Sequence, residues 1–259
     1  MDTTWLVRSD SPFKEASPPI HASTFEYSNG ARQVWHSHEE AQFVYTSRGV
    51  LRVHTPHGVW PVAPMRGLWL PPRLGHELHA VGTVVMHSLY LAPEAIPSLS
   101  TKCLLTKVTS LLDELVRSMV DDKLEKRGDR YSLIVPLLLR EIEHAQEIHE
   151  SGLPLPNDRR LRQIYELLMA APDNSHPLDF WGSKVGASER TLARLFRAET
   201  GLTFGQWRQQ LRIVEAVSQL ALGTPVSAIA AGLGYRNSSA FITMFKKTMG
   251  ETPQRYLRQ

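Results

Sequence analysis

The sequence predicts two domains: an N-terminal all-β barrel with flanking helices, and a C-terminal all-α domain carrying two helix-turn-helix motifs. Three observations predict this. Short segments rich in Val, Tyr, Trp and Leu, separated by turn residues, fill the chain up to Leu91. Apolar residues then recur at helical spacing. Beyond Pro177, two stretches repeat one another.

The strand segments are 32–38, 42–47, 50–55, 59–63, 67–70 and 84–91. Turn signals divide them at Ser47-Arg48-Gly49, Pro56-His57-Gly58, Ala63-Pro64 and Val81-Gly82. Short strands at close spacing suit a sandwich or small barrel. From 102 to 122, Leu104, Leu105, Val108, Leu111, Leu112, Leu115 and Met119 fall on one helical face. A second helix spans 131–149, with Pro136 in its first turn or at a kink. Gly152-Leu-Pro-Leu-Pro156 reads as a linker. Helices follow at 159–170, 178–185, 188–200, 204–222, 226–233 and 238–249, with Ser188 and Thr203 as N-caps. The expected division is a barrel over 1–98, a helical segment over 99–151 and a helical domain over 157–259, its two units being 178–200 and 226–249.

A chain of 259 residues, 42% hydrophobic and 21% charged, has the balance of a folded soluble protein with room for two domains. No apolar run approaches the roughly 18 residues of a membrane span. The first ten residues mix charges of both signs and lack an apolar core, which argues against a secretory signal. The single cysteine, Cys103, suits a reducing compartment and reads as a buried structural residue. A cytoplasmic location follows. The net charge of +3 is unevenly spread: residues 156–259 hold 14 Lys+Arg against 8 Asp+Glu, so the rest is mildly acidic. A basic C-terminal module on an acidic body is the electrostatic footprint of nucleic-acid binding.

The repeat gives that charge a geometry. Leu192 and Phe196 in the first unit match Phe241 and Phe245 in the second. A small residue precedes each turn glycine by four positions, Gly182 before Gly186 and Ala230 before Gly234. Two helices crossing tightly need a small residue at the contact, and the sharp turn favours glycine. The second helix of each unit then presents its outer face to a major groove. The first face offers Ser188, Arg190, Arg194 and Arg197; the second offers Arg236, Asn237, Ser238, Ser239, Thr243, Lys246 and Lys247. Arginine pairs bidentately with guanine, while Asn, Ser and Thr read base edges or hold phosphates.

Residues 181–258 resemble the DNA-binding domain of the AraC/XylS family. The matching stretches are Ser188-Glu-Arg-Thr-Leu-Ala-Arg-Leu-Phe-Arg-Ala-Glu-Thr-Gly201, Trp207-Arg-Gln-Gln-Leu-Arg212, Ala230-Ala-Gly-Leu-Gly-Tyr235 and Gly250-Glu-Thr-Pro-Gln-Arg-Tyr256. The resemblance implies a transcription regulator, not an enzyme, with two recognition helices entering successive major grooves of promoter DNA. It also implies an N-terminal barrel that senses a small molecule. RNA polymerase and a second copy of the chain are the other partners it suggests. Arg190 and Arg194 would read bases or phosphates, Ser238, Ser239 and Thr243 would take the equivalent places, and Arg212 is assigned to internal pairing.

Eight of the 11 histidines precede Leu91. His36 and His38 share a face if extended, Gln42 opens the next segment and His76 follows a later turn. His36-Ser-His38 through Gln42 to Gly49, and Pro71-Pro-Arg-Leu-Gly-His76, resemble the two cupin motifs. Gln42 stands where glutamate is usual, and Arg73 where a turn glycine is usual. Three readings stay open for His36, His38, Gln42 and His76: a divalent metal site, an organic-effector pocket, or structural histidines. His54, His57, His79 and His87 lack comparable spacing and are expected to be structural. A metal-dependent cupin enzyme is the alternative function, but no acid–base carboxylate is clearly placed and it leaves the repeated helical units unexplained.

Overall fold

The structure, a computed structural model, describes residues 4–5, 20–92, 95, 100–121, 129–148 and 152–256. The chain forms two compact units, one from Met1–Thr55 and Val62–His149, the other from Pro56–Pro61 and Glu150–Arg258. The expected boundaries at 98/99 and at 151 fall outside the described residues.

The first unit is an antiparallel β domain with two helices. Its strands are β1 (Thr4–Trp5), β2 (Ile20–Tyr27), β3 (Arg32–His36), β4 (Ala41–Thr55), β6 (Arg66–Leu70), β7 (His76–Leu91) and β8 (Leu104–Lys107); β5 (Gly58–Val62) is the arm counted largely with the second unit. β4 and β7 pair with one another along most of their length. The late half of β7 also pairs β2, and its first residues pair β3. The early half of β4 pairs β6, which pairs β8.

The segments 42–47 and 50–55 are one 15-residue strand, β4, and the signal at Val81-Gly82 lies inside the 16-residue β7. The expected turns are bulges: the β4/β7 register shifts between Thr46 and Arg48 and again between Arg48 and Val50. Gly49 and Gly82 take φ of +72° and +76°, which bends each strand without ending it. A Cβ on Gly49 would lie 2.4 Å from Thr83 O, so the bulge also needs a bare backbone. Leu104–Lys107 is a strand and not the start of a helix, because β6 supplies its hydrogen-bond partners. Strand β2 carried no recognised sequence signal.

Helices α1 (Ser110–Asp121) and α2 (Asp129–Glu143) cover one face of this core. Leu112, Val116, Val135, Leu138 and Ile142 pack with Phe43, Tyr45, Trp69 and Leu89. Pro136 sits in the interior of α2, not in its first turn. Tyr45 Oη donates to Asp113 Oδ1 at 2.9 Å, and Arg117 Nε donates to Asp113 Oδ2 at 2.9 Å, so the buried carboxylate is satisfied.

The second unit contains β9 (Leu153–Pro154), α3 (Arg159–Ala170), α4 (Leu178–Val185), α5 (Glu189–Thr200), α6 (Phe204–Ala221), α7 (Val226–Gly232), α8 (Ser238–Met249) and α9 (Pro253–Tyr256). Within this unit Gly58 and Val59 of the arm pair with β9, and Val59 joins the core around Trp207. No helix among the described residues is long and apolar enough to cross a membrane.

Candidate nucleic-acid interface and histidine site

Each helix-turn-helix is built by local signals. Helix α4 ends at Gly186 in the left-handed region, φ +68°, and Ala187 N donates back to Gly182 O at 3.0 Å. Ser188 then caps α5, its Oγ accepting from Thr191 N. The second unit repeats this with a turn one residue longer: Tyr235 N donates to Ala230 O at 2.9 Å, and Asn237 caps α8 by accepting from Ala240 N. Leu192 and Phe196 anchor α5 against Phe204 and Trp207, while Phe241 and Phe245 anchor α8 against Tyr235 and Tyr256.

With those faces buried, the opposite faces are fixed by helical geometry. Arg190, Arg194 and Arg197 are exposed at i, i+4 and i+7 of α5. Ser239, Thr243 and Lys246 are exposed at the corresponding positions of α8, with Lys247 beside them. The side chains of the three arginines make no hydrogen bond or ion pair among the described residues, so their guanidinium groups are available. Arg236 and Asn237 are exposed in the turn and Ser238 is half-buried. Capping occupies Ser188 Oγ and Asn237 Oδ1, leaving these two residues a restricted set of outward groups.

Helix α6 joins the two helix-turn-helix motifs. It is 18 residues long, or about 27 Å at the α-helical rise. Thr203 and Gln206 close a full capping box at its start. Arg212 on α6 donates to Pro172 O at 2.9 Å, Asp173 O at 3.2 Å and Asn174 O at 3.3 Å, and its guanidinium lies 5.5 Å over the Tyr235 ring. A Cβ on Gly234 would lie 2.5 Å from Asp173 O, so the second turn rests on the loop that Arg212 grips. Arg212 is thus internally paired.

In the first unit, β3, β7 and the loop after β3 bring His36, His38 and His76 together. His36 pairs with His76 across strands, and ring centroids lie 4.3 Å apart for His36–His76 and 5.3 Å for His38–His76. One ligand atom from each lies within 4.8 Å of the others. Each Nδ1 meets a backbone carbonyl: Val34 O at 2.9 Å, Glu40 O at 2.9 Å and Leu74 O at 2.8 Å. A carbonyl only accepts, so in the neutral imidazoles the proton sits on Nδ1 and the lone pair on Nε2. His76 Nε2 is buried with no hydrogen-bond partner. Burial, followed by the neighbouring imidazole, lowers His76 to about 3, and burial also lowers His36.

Gln42 belongs to the same cluster. It is buried; its Nε2 donates to Ser88 Oγ at 2.6 Å and its Oε1 lies 3.2 Å from His38 Nε2. With Nδ1–H committed to Glu40 O, two lone pairs face each other across that gap. Two ligands on one tetrahedral ion with ~2.0 Å bonds stand about 3.3 Å apart. The donor set therefore fits a small divalent cation. Arg73 takes the left-handed conformation that favours glycine, φ +62°, and its N donates to His38 O at 2.8 Å.

The sequence reading missed Glu40, which is buried with Oε2 3.7 Å from His38 Nδ1. A charged residue beside Glu39, just ahead of the first strand residue Ala41, carries no local signal of burial. His87 is satisfied structurally, its ring nitrogens lying 2.9 Å from Thr24 Oγ1 and from Ser47 Oγ. Cys103 is half-buried and its thiol is pushed up to about 12 by burial.

Comparison with known proteins joins the two sites. A helix-turn-helix domain model matches residues 181–259, and an AraC-like ligand binding domain model matches residues 22–179. The HTH-type transcriptional regulator NimR of Escherichia coli (strain K12) is 31% identical over 241 residues, which cover 92% of this chain and 85% of that protein. The arabinose operon regulatory protein of the same strain is 30% identical over 129 residues, covering 48% of this chain and 42% of that protein. The regulator RipA of Corynebacterium glutamicum is 32% identical over 103 residues, and that match spans only 31% of its length.

Proposed function

The chain belongs to the AraC family of helix-turn-helix transcription regulators, and we propose that it binds promoter DNA through α5 and α8 under the control of a metal ion or small molecule held at His36, His38, Gln42 and His76. The observation that carries the DNA reading is the pair of exposed stripes at matching positions, one of them three unpaired arginines. Arg190 and Arg194 read base edges; Arg197, Arg236, Lys246 and Lys247 hold phosphates; Ser239 and Thr243 take the reading positions of the second helix. Ser188, Asn237 and Ser238 position helix starts against the backbone. On this reading residues 1–98 sense, 99–151 connect and dimerise, and 157–259 bind DNA in the cytoplasm, with RNA polymerase as the downstream partner.

Of the three readings of the histidine cluster, a divalent first-row ion is the one its chemistry supports best. Three backbone carbonyls fix the imidazole protons on Nδ1, which leaves Nε2 as ligand. The bound ion would link β3, the β3–β4 loop, β4 and β7, and so bias the unit toward one arrangement.

Genome-wide mapping of bound DNA, followed by affinity measurements on the mapped sites, tests the first half. Arg194→Ala should weaken binding by about 1–3 kcal/mol, and affinity should fall steeply with salt. Unchanged affinity removes Arg194 from the readers, and a salt-insensitive complex overturns the basic-face argument. Metal analysis of purified protein tests the second half: sub-stoichiometric metal, with none taken up on titration, overturns the metal reading and leaves the DNA reading intact.

A further inference from the structure

Cross-strand pairing assembles a second set of metal-ligand side chains, apart from the His36 cluster. His54, one residue before the end of β4, pairs directly with Glu77 of β7. His79 lies two residues farther along β7, in one row with Arg32 of β3 and Arg52 of β4. Paired residues share a face, and alternate residues return to it. Glu77 and His79 therefore point to the face of β7 opposite His76, so the two clusters use the two sides of one strand.

The ligand atoms of His54, Glu77 and His79 lie within 4.8 Å of one another. Glu77 Oε1 is 3.1 Å from His79 Nε2 and 3.9 Å from His54 Nδ1. The two imidazoles sit with centroids 4.6 Å apart, close for groups that would repel if both were protonated. His54 Nε2 and His79 Nε2 are buried without a hydrogen-bond partner, the His79–Glu77 approach lying outside hydrogen-bond geometry. Burial is the first cause that lowers both, His54 to about 4. Both rings are then neutral near pH 7 and carry a lone pair.

The geometry points to His54, Glu77 and His79 as a second metal site, taking a divalent first-row ion such as Zn²⁺ through two imidazoles and one carboxylate. Small side-chain rotations close the present separations to the roughly 3.3 Å of ligands on a tetrahedral ion. One carboxylate and two imidazoles, with positions left for water, suit Zn²⁺ better than Ca²⁺ or Mg²⁺, which select oxygen. Arg32 and Arg52 flank His79 and oppose a cation, so this site should be weaker than the His36 cluster. The ion would clamp the end of β4 to the start of β7.

The test uses full-length protein stripped with chelator and dialysed against buffered micromolar Zn²⁺, with bound metal counted per chain by mass spectrometry. His54→Ala and His79→Ala should each bind one ion fewer than wild type. Glu77→Gln, nearly isosteric, should weaken that same ion about tenfold or more, and Arg52→Gln should tighten it. Because the readout is a difference from wild type, it stands whether or not the His36 cluster binds. His38→Ala should leave this ion in place. Equal stoichiometry and affinity in wild type, His79→Ala and Glu77→Gln overturns the proposal. Should an alanine variant lose its far-ultraviolet dichroism, the Glu77→Gln titration decides alone.

Discussion

Gly182 should be the least replaceable glycine of the first helix-turn-helix, and the reason separates contact from backbone conformation. Glycine inside a helix normally costs about 1 kcal/mol relative to alanine, so Gly→Ala is stabilising where space allows. At Gly182 a Cβ would lie 2.4 Å from Ala187 O, about 1 Å inside ordinary contact. The obstacle is backbone, and Ala187 N is tied to Gly182 O at 3.0 Å, so relief requires opening the turn itself. Overpacking costs about 1–3 kcal/mol, and a rigid obstacle belongs at the upper end. After the helical gain, Gly182→Ala should destabilise the unit by about 2 kcal/mol. Two neighbours act as controls. Gly186 has φ +68° and nothing within 4 Å, so Gly186→Ala should cost about 1 kcal/mol through conformation alone. Gly205 in α6 has open space and should gain a few tenths to 1 kcal/mol as alanine. The assay is native-state hydrogen exchange on the full chain, read on peptides from 178–222, with DNA affinity measured in parallel. The expected order of stability is Gly205→Ala, wild type, Gly186→Ala, Gly182→Ala. A Gly182→Ala protein as stable as wild type would refute the close approach of α4 to the turn at Ala187.

Other outcomes follow from the same structure. Arg212→Ala should lower DNA affinity without removing a DNA contact, because three carbonyls lose a charged donor at a cost of about 1.5–3 kcal/mol; unchanged exchange in 172–174 would contradict this. Tyr45→Phe should destabilise the first unit by about 1–2 kcal/mol, since buried Asp113 keeps only Arg117 as its charged donor; urea titration reads it. Asp158→Ala should cost about 1 kcal/mol through the lost α3 cap. The Asp158 carboxyl is lowered to about 2, chiefly by Arg160, so its contribution is fully present above the ordinary carboxylate range and fades as pH falls toward 2. Cys103 should react with iodoacetamide at pH 8 on the order of 10³ times more slowly than a free thiol; rapid alkylation would contradict its burial.

What was legible in the sequence divides by the range of the interaction that encodes it. Both helix-turn-helix motifs could be read because their signals lie within a few residues of what they control: Ser188 and Thr203 cap the helices that follow them, and Gly186, Gly201 and Gly250 end helices in the left-handed region. The β unit was legible as a class but not in its pairing. Gly49 and Gly82 look like turns until the partner strand shows that pairing resumes beyond them, and Leu104–Lys107 keeps a helical period although β6 makes it a strand. The same division governs the sites. His36 and His38 announce themselves by a two-residue spacing, whereas Glu40 acquires its interest from burial, and His54 meets Glu77 only because two long strands run antiparallel in one register. A recognition stripe at i, i+4 and i+7 can therefore be argued from a single helix. A ligand site written across a sheet needs the register first, and here that register puts one histidine cluster on each side of β7.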